Sequence, residues 1–442
     1  MYRQTNQNEK CIKIFDDYLK NSNNASVLKT WSLLHKAEAL NALGKKVEAN
    51  YLFSKIFNMG EEKRVRAYRL FQKDLLNETL KLAKNKEEIA TIWAIMAIKN
   101  PGPAFKELKL VVENAPHHSS VPLLIMREIN KLEDWIFTPE LTSHSPSLYS
   151  NDDFNEWNDN YEKIKQRNRA KDLNYLKKLN SWLQVNYTAF DSQISDYIKL
   201  ARAHLHLIAR ENKSALSLFT SISENAPKAI HVQKNIELAL FYAYENTLTT
   251  NEVQTKIAKT LSELENLTKT NYAYGKPLYS LATIISKAFL NQNNIPFAGL
   301  LKLKAEKYKD AYEDAGNEYW SLEDWHDKNY YWKIAYFDRY ATTEDINKLI
   351  ELIEKKNKNA FEFYLCNQKL ATKNALLDLK GTIALRSGNL KIAFEAFSAL
   401  PLNYWEKNYE FSTYLNENPF IPKTINTDTI PFKFNKAIIV KN

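Results

Sequence analysis

Metal binding and acid–base catalysis would show first at histidines, cysteines and paired carboxylates, and this chain offers few such groupings. His204 and His206 stand two residues apart, and on a helix that separates their side chains by roughly 200°, too far to share one ion as an i, i+4 pair does. His117 and His118 follow Ala115-Pro116 in an expected inter-helix turn and read as surface residues. Cys11 and Cys366 are the only cysteines, which leaves no disulfide framework and no cysteine-based zinc site. A Gly-rich phosphate loop, a nucleophile elbow and a His-Glu-x-x-His helix are all missing, so a non-enzymatic chain without cofactor or metal is expected.

The densest unusual segment is 319–340, YWSLEDWHDKNYYWKIAYFDRY. Trp332, Tyr336 and Tyr340 follow i, i+4, i+8 and mark one helix face, which is the packing explanation for aromatics in helix pairs. Trp320, Trp325 and Tyr331 fall outside that pattern and stand near Glu323, Asp324 and Asp327. Exposed aromatics beside carboxylates have the composition of an interface anchor, so these six residues are the candidate partner-binding set. The same rings beside carboxylates would also suit a sugar, which makes a glycan-binding or glycan-processing helical protein the alternative reading. A glycosidase would need two acids set across a cleft, and no spacing in the sequence identifies such a pair.

One run has the charge of a nucleic-acid footprint: Lys163, Lys165, Arg167, Arg169, Lys171, Lys177 and Lys178. Asp152, Asp153, Glu156, Asp159 and Glu162 precede it, and acids at a helix start with bases at its end are what the helix dipole favours. A solvated helix therefore accounts for both runs, and a nucleic-acid partner is not expected. The net charge of +9, from 61 basic and 52 acidic residues, is mild for 442 residues, and only 11 of the bases are arginine.

The elements that must position these residues are helical. With 8 glycines and 10 valines the chain is poor in both positive-φ turns and half-buried strand residues, so sandwiches, barrels and Gly-loop parallel sheets fit badly. An all-α fold remains. No run of 18 apolar residues occurs and the opening MYRQTNQNEK has no apolar signal stretch, so neither a membrane span nor a signal peptide is expected and the chain reads as soluble.

Repeats refine the expectation. Residues 375–401 set Gly381, Ala384, Gly388, Leu390, Ala393 and Phe397 at spacings similar to the tetratricopeptide (TPR) pattern of small residue, turn, Ala and aromatic. Residues 31–57 repeat it with Ala37, Gly44, Ala49 and Phe53, and 199–227 with Ala203, Ala215, Phe219 and Pro227. A degraded copy at 90–116 keeps Ala104 and Pro116, and a weaker one centres on Ala298. The predicted architecture is TPR-like antiparallel helix pairs in a right-handed solenoid: repeats over 1–135, a linker or loop at 136–151, further repeats over 152–415, and an extended tail at 416–442. Between the units, Thr343 and Asn251 are the expected caps of helices carrying Ile346, Leu349, Ile350 and Ile353, and Val253, Ile257, Leu261 and Leu264.

The stretch REINKLEDWIFTPELT (127–142), the preceding WAIMAIKNPGPAFKELKLV and the closing PFKFNK resemble the C-terminal half of long, uncharacterised helical-repeat proteins of Bacteroidetes, many of them predicted envelope lipoproteins. That resemblance implies an all-helical repeat fold, an envelope location and a longer parent chain, and it implies no chemistry. The functional expectation is an interaction scaffold that holds a protein or peptide in a concave groove.

Overall fold

The computed structural model describes residues 2–20, 27–141, 161–186, 194–245, 247–309, 330–367 and 371–407. The chain divides into two compact units, Met1–Ile230 and His231–Asn442, and among the described residues every regular element is helical. The first unit runs α1 (Asn8–Ile14), α2 (Val27–Ala42), α3 (Lys46–Met59), α4 (Glu61–Leu70), α5 (Leu76–Leu82), α6 (Lys86–Lys99), α7 (Phe105–Asn114), α8 (Val121–Leu132), α9 (Thr138–Leu141), α10 (Tyr161–Val185), α11 (Ser195–Ile208) and α12 (Asn212–Thr220). After α13 (Lys228–Tyr244) the second runs α14 (Asn251–Thr268), α15 (Gly275–Asn291), α16 (Ile295–Glu306), α17 (Tyr330–Tyr340), α18 (Thr343–Glu354), α19 (Ala360–Cys366), α20 (Lys373–Arg386), α21 (Leu390–Ser398) and α22 (Leu402–Lys407).

Consecutive helices pack most closely as α2/α3, α6/α7, α11/α12, α15/α16 and α20/α21, which are the five places where the sequence repeats its small-residue pattern. Four of these pairs share one turn. Gly44, Arg210, Asn293 and Gly388 have φ of +79°, +62°, +56° and +75°. In each turn the next residue donates its N–H back across the helix end, from Lys45 to Leu40 (3.0 Å), Glu211 to His206 (2.9 Å), Asn294 to Phe289 (2.9 Å) and Asn389 to Ala384 (2.8 Å). This left-handed closure satisfies carbonyls that a helix end otherwise leaves open. Seven residues before each turn residue stands a small one, Ala37, Ala203, Ser286 or Gly381, and five after it a buried alanine, Ala49, Ala215, Ala298 or Ala393. Small side chains on both helices let the axes approach closely. At Gly381 an added Cβ would come within 2.7 Å of three atoms of the Phe397 ring, so only glycine fits beneath that ring.

The pair at 90–116 reaches the same antiparallel packing by another turn. Pro101 and Pro103 fix the connection, the Asn100 side chain accepts from Gly102 N (3.0 Å), and Ala104 is the residue before α7 rather than one inside it. Its N–H donates to the Glu128 carboxylate (3.0 Å).

Three expectations are corrected. The caps of α18 and α14 are Thr342 and Thr250, one residue earlier than Thr343 and Asn251, because a cap must have extended backbone for its oxygen to reach the third helical N–H. Residues 136–141, the start of the expected linker, continue from α8 through a wide turn into α9, with Ile136 and Phe137 buried. His118 is buried rather than on the surface: its Nδ1 accepts from Ser120 N (3.1 Å), so Nε2 carries the proton and donates to Thr91 Oγ1 (2.9 Å). Burial holds its pKa below the usual histidine value against the opposing pull of Glu87. His117 is exposed as expected.

Candidate functional site

Of the sequence-derived binding set, Trp320, Glu323, Asp324, Trp325 and Asp327 lie outside the described residues, and Tyr331 is described only as part of the α17 backbone. Further along α17 the buried residue is Phe337, which lies against Gly299 of α16, where an added Cβ would come within 2.8 Å of three ring atoms. Tyr336 is half-buried and Tyr340 exposed, with their ring centroids 4.9 Å apart. The core face of α17 therefore runs through Phe337, one residue round from the face the Tyr336/Tyr340 spacing marks. Asp338 pairs with Arg386 and ties α17 to α20.

The histidine pair behaves as its spacing requires. His204 meets the Phe137 ring edge-on (6.2 Å between centroids), while His206 Nδ1 lies 2.6 Å from Glu211 and its Nε2 3.0 Å from Asn180. Among the described residues no three His, Cys, Asp or Glu side chains stand together in a way that would hold a metal. Along α10, Asn168, Asp172, Leu176, Leu179 and Leu183 form the buried stripe, and Lys163, Lys165, Arg167, Lys171, Lys177 and Lys178 are exposed. The acids of the charge pattern, Asp152, Asp153, Glu156 and Asp159, lie outside the described residues.

The second unit holds an open cleft of about 800 Å³, formed by the turn into α16, one face of α18 and Glu362 of α19. Its apolar lining is Pro296, Phe297 and Leu352. Phe297 is held edge-on by Phe289 (5.4 Å) and Phe361 (5.5 Å), and these two rings also stack on each other (5.5 Å). The aromatic surface is therefore set before any ligand arrives. Asn294 caps α16 by accepting from Phe297 N (3.2 Å), which fixes where that ring leaves the backbone.

The rim is charged. Asp345 closes a reciprocal cap with Thr342, accepting from its N–H at 2.9 Å while Thr342 Oγ1 accepts from Asp345 N at 3.2 Å. Lys355 Nζ donates to both Glu362 oxygens (2.7 and 2.8 Å) and Asn359 N to one of them (2.8 Å). Burial works to raise the Glu362 carboxyl, but these donors hold it below the usual glutamate value. Glu354 pairs with Lys373 at 2.9 Å. Among the described residues the side chains of Lys348 and Glu351, both exposed, have neither a hydrogen-bond nor an ion-pair partner. The lining thus carries four carboxylates against two ammonium groups in a chain whose net charge is +9.

Behind the cleft, Lys304 of α16 is 2% exposed. Its Nζ donates to Tyr364 O (2.6 Å) and Asn367 Oδ1 (2.8 Å), lies 3.7 Å over the Tyr364 ring centre, and stands 3.8 Å from Glu265, whose other oxygen accepts from Tyr308 OH (3.0 Å). Burial pushes the ammonium down to about 8 and the Tyr308 and Tyr364 hydroxyls upward. A lysine with a lowered pKa is a known nucleophile type, but this one is shut from solvent and its N–H groups are directed at protein acceptors. It acts as a tie that closes the C-terminal end of α19 against α16 and α14.

Sequence reasoning missed both features. A signal for Lys304 was present, since Leu300, Leu301, Lys304 and Ala305 set it on an apolar helix face. None existed for the cleft, whose lining joins α16 and the turn before it to the consecutive helices α18 and α19 much further along the chain. Comparison of the chain with protein-family models, with curated proteins and with solved structures returns no match.

Proposed function

We propose that the chain is a non-enzymatic helical-repeat scaffold whose TPR-like pairs stack within each unit in right-handed solenoid fashion and present a surface for a polypeptide partner. One observation carries the reading: four helix pairs repeat the same left-handed turn with a small residue seven before it and a buried alanine five after it. Chains that repeat one helix-pair unit bury each pair against its neighbours, and the surface left over is long and suited to extended ligands. The preset aromatic lining and mixed-charge rim of the α16/α18 cleft add a place where such a ligand can be anchored. Crosslinking of the full chain in its native cells, followed by mass spectrometry of the crosslinked residues, tests this. Reproducible crosslinks to one or a few polypeptides are expected, and a chain that captures no polypeptide but shifts its tryptophan fluorescence with oligosaccharides would reverse the reading.

A further inference from the structure

We infer that the α16/α18 cleft takes a short basic peptide segment, its apolar side chains on Phe297 and Leu352 and its lysine or arginine side chains on the carboxylate rim. The inference rests on the scaffold reading and names the partner chemistry of one site. Three observations support it together. The lining follows one face of α18 from Asp345 through Lys348, Glu351 and Leu352 to Lys355, a length of about 15 Å at the helical rise. An extended peptide covers that length in about five residues. The cleft is therefore elongated along a helix, which suits a chain better than a compact ligand.

The apolar lining is fixed, because Phe297 is braced by Phe289 and Phe361, so a peptide side chain seated there costs no rearrangement. The charge is unbalanced toward the acids. Lys355 is neutralised by Glu362 and Glu354 is paired with Lys373, which leaves Lys348 as the single unpaired ammonium of the lining to favour an acidic peptide, against Asp345 and Glu351 to favour a basic one. Glu351 carries no internal pairing among the described residues, so a guanidinium or ammonium from a ligand would displace nothing there.

The test uses the full chain and two fluorescein-labelled hexapeptides of equal apolar content, one alternating leucine and phenylalanine with arginine, the other with glutamate, read by fluorescence anisotropy at physiological salt. The basic peptide is expected to bind about tenfold or more tighter than the acidic one. Glu351→Lys should weaken it by about five- to tenfold, and Lys348→Glu should strengthen it by a similar factor. Both residues are exposed, so neither substitution should move Tm, which circular dichroism checks. Equal binding of the two peptides overturns the inference, and so does binding that survives both substitutions unchanged. Crosslinks to a polypeptide mapping to other helices would then keep the scaffold reading while the cleft assignment falls.

Discussion

Gly381→Ala tests a close helix contact in the second unit. In an ordinary helix interior, replacing glycine by alanine stabilises by about 1 kcal/mol through backbone entropy. Here the new Cβ would lie within 2.7 Å of three Phe397 ring atoms, about an ångström inside normal contact, so the ring or one helix must move. The ring is 3% exposed and packed in one cluster with Ala384, Ala393 and Leu400, so it must move against packed neighbours. Overpacking of this kind costs about 1–3 kcal/mol, and the depth of overlap puts Gly381→Ala toward the upper end. The net expectation is a loss of about 1–2 kcal/mol, or several degrees of Tm for a unit of this size. Urea denaturation followed by circular dichroism measures it, with Phe397→Leu as the second arm of a double-mutant cycle. In the Phe397→Leu background the same glycine substitution should cost clearly less, because two of the three clashing ring atoms, Cε1 and Cζ, are gone. A stabilised Gly381→Ala chain, or one that loses the same amount in both backgrounds, would refute the argument.

The repeated left-handed turns respond in opposite directions to opposite substitutions. Gly44→Ala and Gly388→Ala should each cost about 1 kcal/mol even though an added Cβ at either position meets nothing within 4 Å, and Asn293→Gly should gain a few tenths, all read from thermal or urea midpoints. Lys304→Met tests the buried tie through its pH dependence. The folded-state pKa of Lys304 is lowered from 10.5 to about 8, so between those values the unfolded chain binds a proton that the folded chain does not, and stability rises with pH. The wild-type chain should therefore gain on Lys304→Met as pH rises from about 8 towards 10, by up to about 3 kcal/mol over the full window, and parallel stability curves would remove the assignment.

Much of the helical framework was legible because its causes are local. Scarce glycine and valine, together with apolar periodicity, point to helices, and Gly44 and Gly388 announce their own turns, since glycine is the residue that enters the left-handed region without strain. Arg210 and Asn293 make the same turn without that signature. Their turns were recoverable only from the pattern around them, Ala203, Ala215, Phe219 and Pro227 for Arg210 but little beyond Ala298 for Asn293, which accordingly fell in the faintest of the five copies. The caps were displaced by one residue because Thr342-Thr343 and Thr250-Asn251 each offer two capping side chains in succession, and the choice between them is made by backbone angle.

Burial and charge pairing belong to a different class. Whether His118 sits in water or against Thr91, whether Lys304 is a surface lysine or a tie between three helices, and whether Phe337 or Tyr340 faces the core all depend on partners from other helices. The cleft is the clearest case, since Phe297, Glu351 and Glu362 are unremarkable on their own helices and form a lined site only when α16, α18 and α19 pack together. The sequence by itself determined helix and helix pairing, because hydrogen bonds between residues three to five apart and side-chain periodicity are fixed by the chain's own order. Only the tertiary structure decided which polar groups lost their water and which charges met, because desolvation and ion pairing are set by distances between residues that the linear order does not contain.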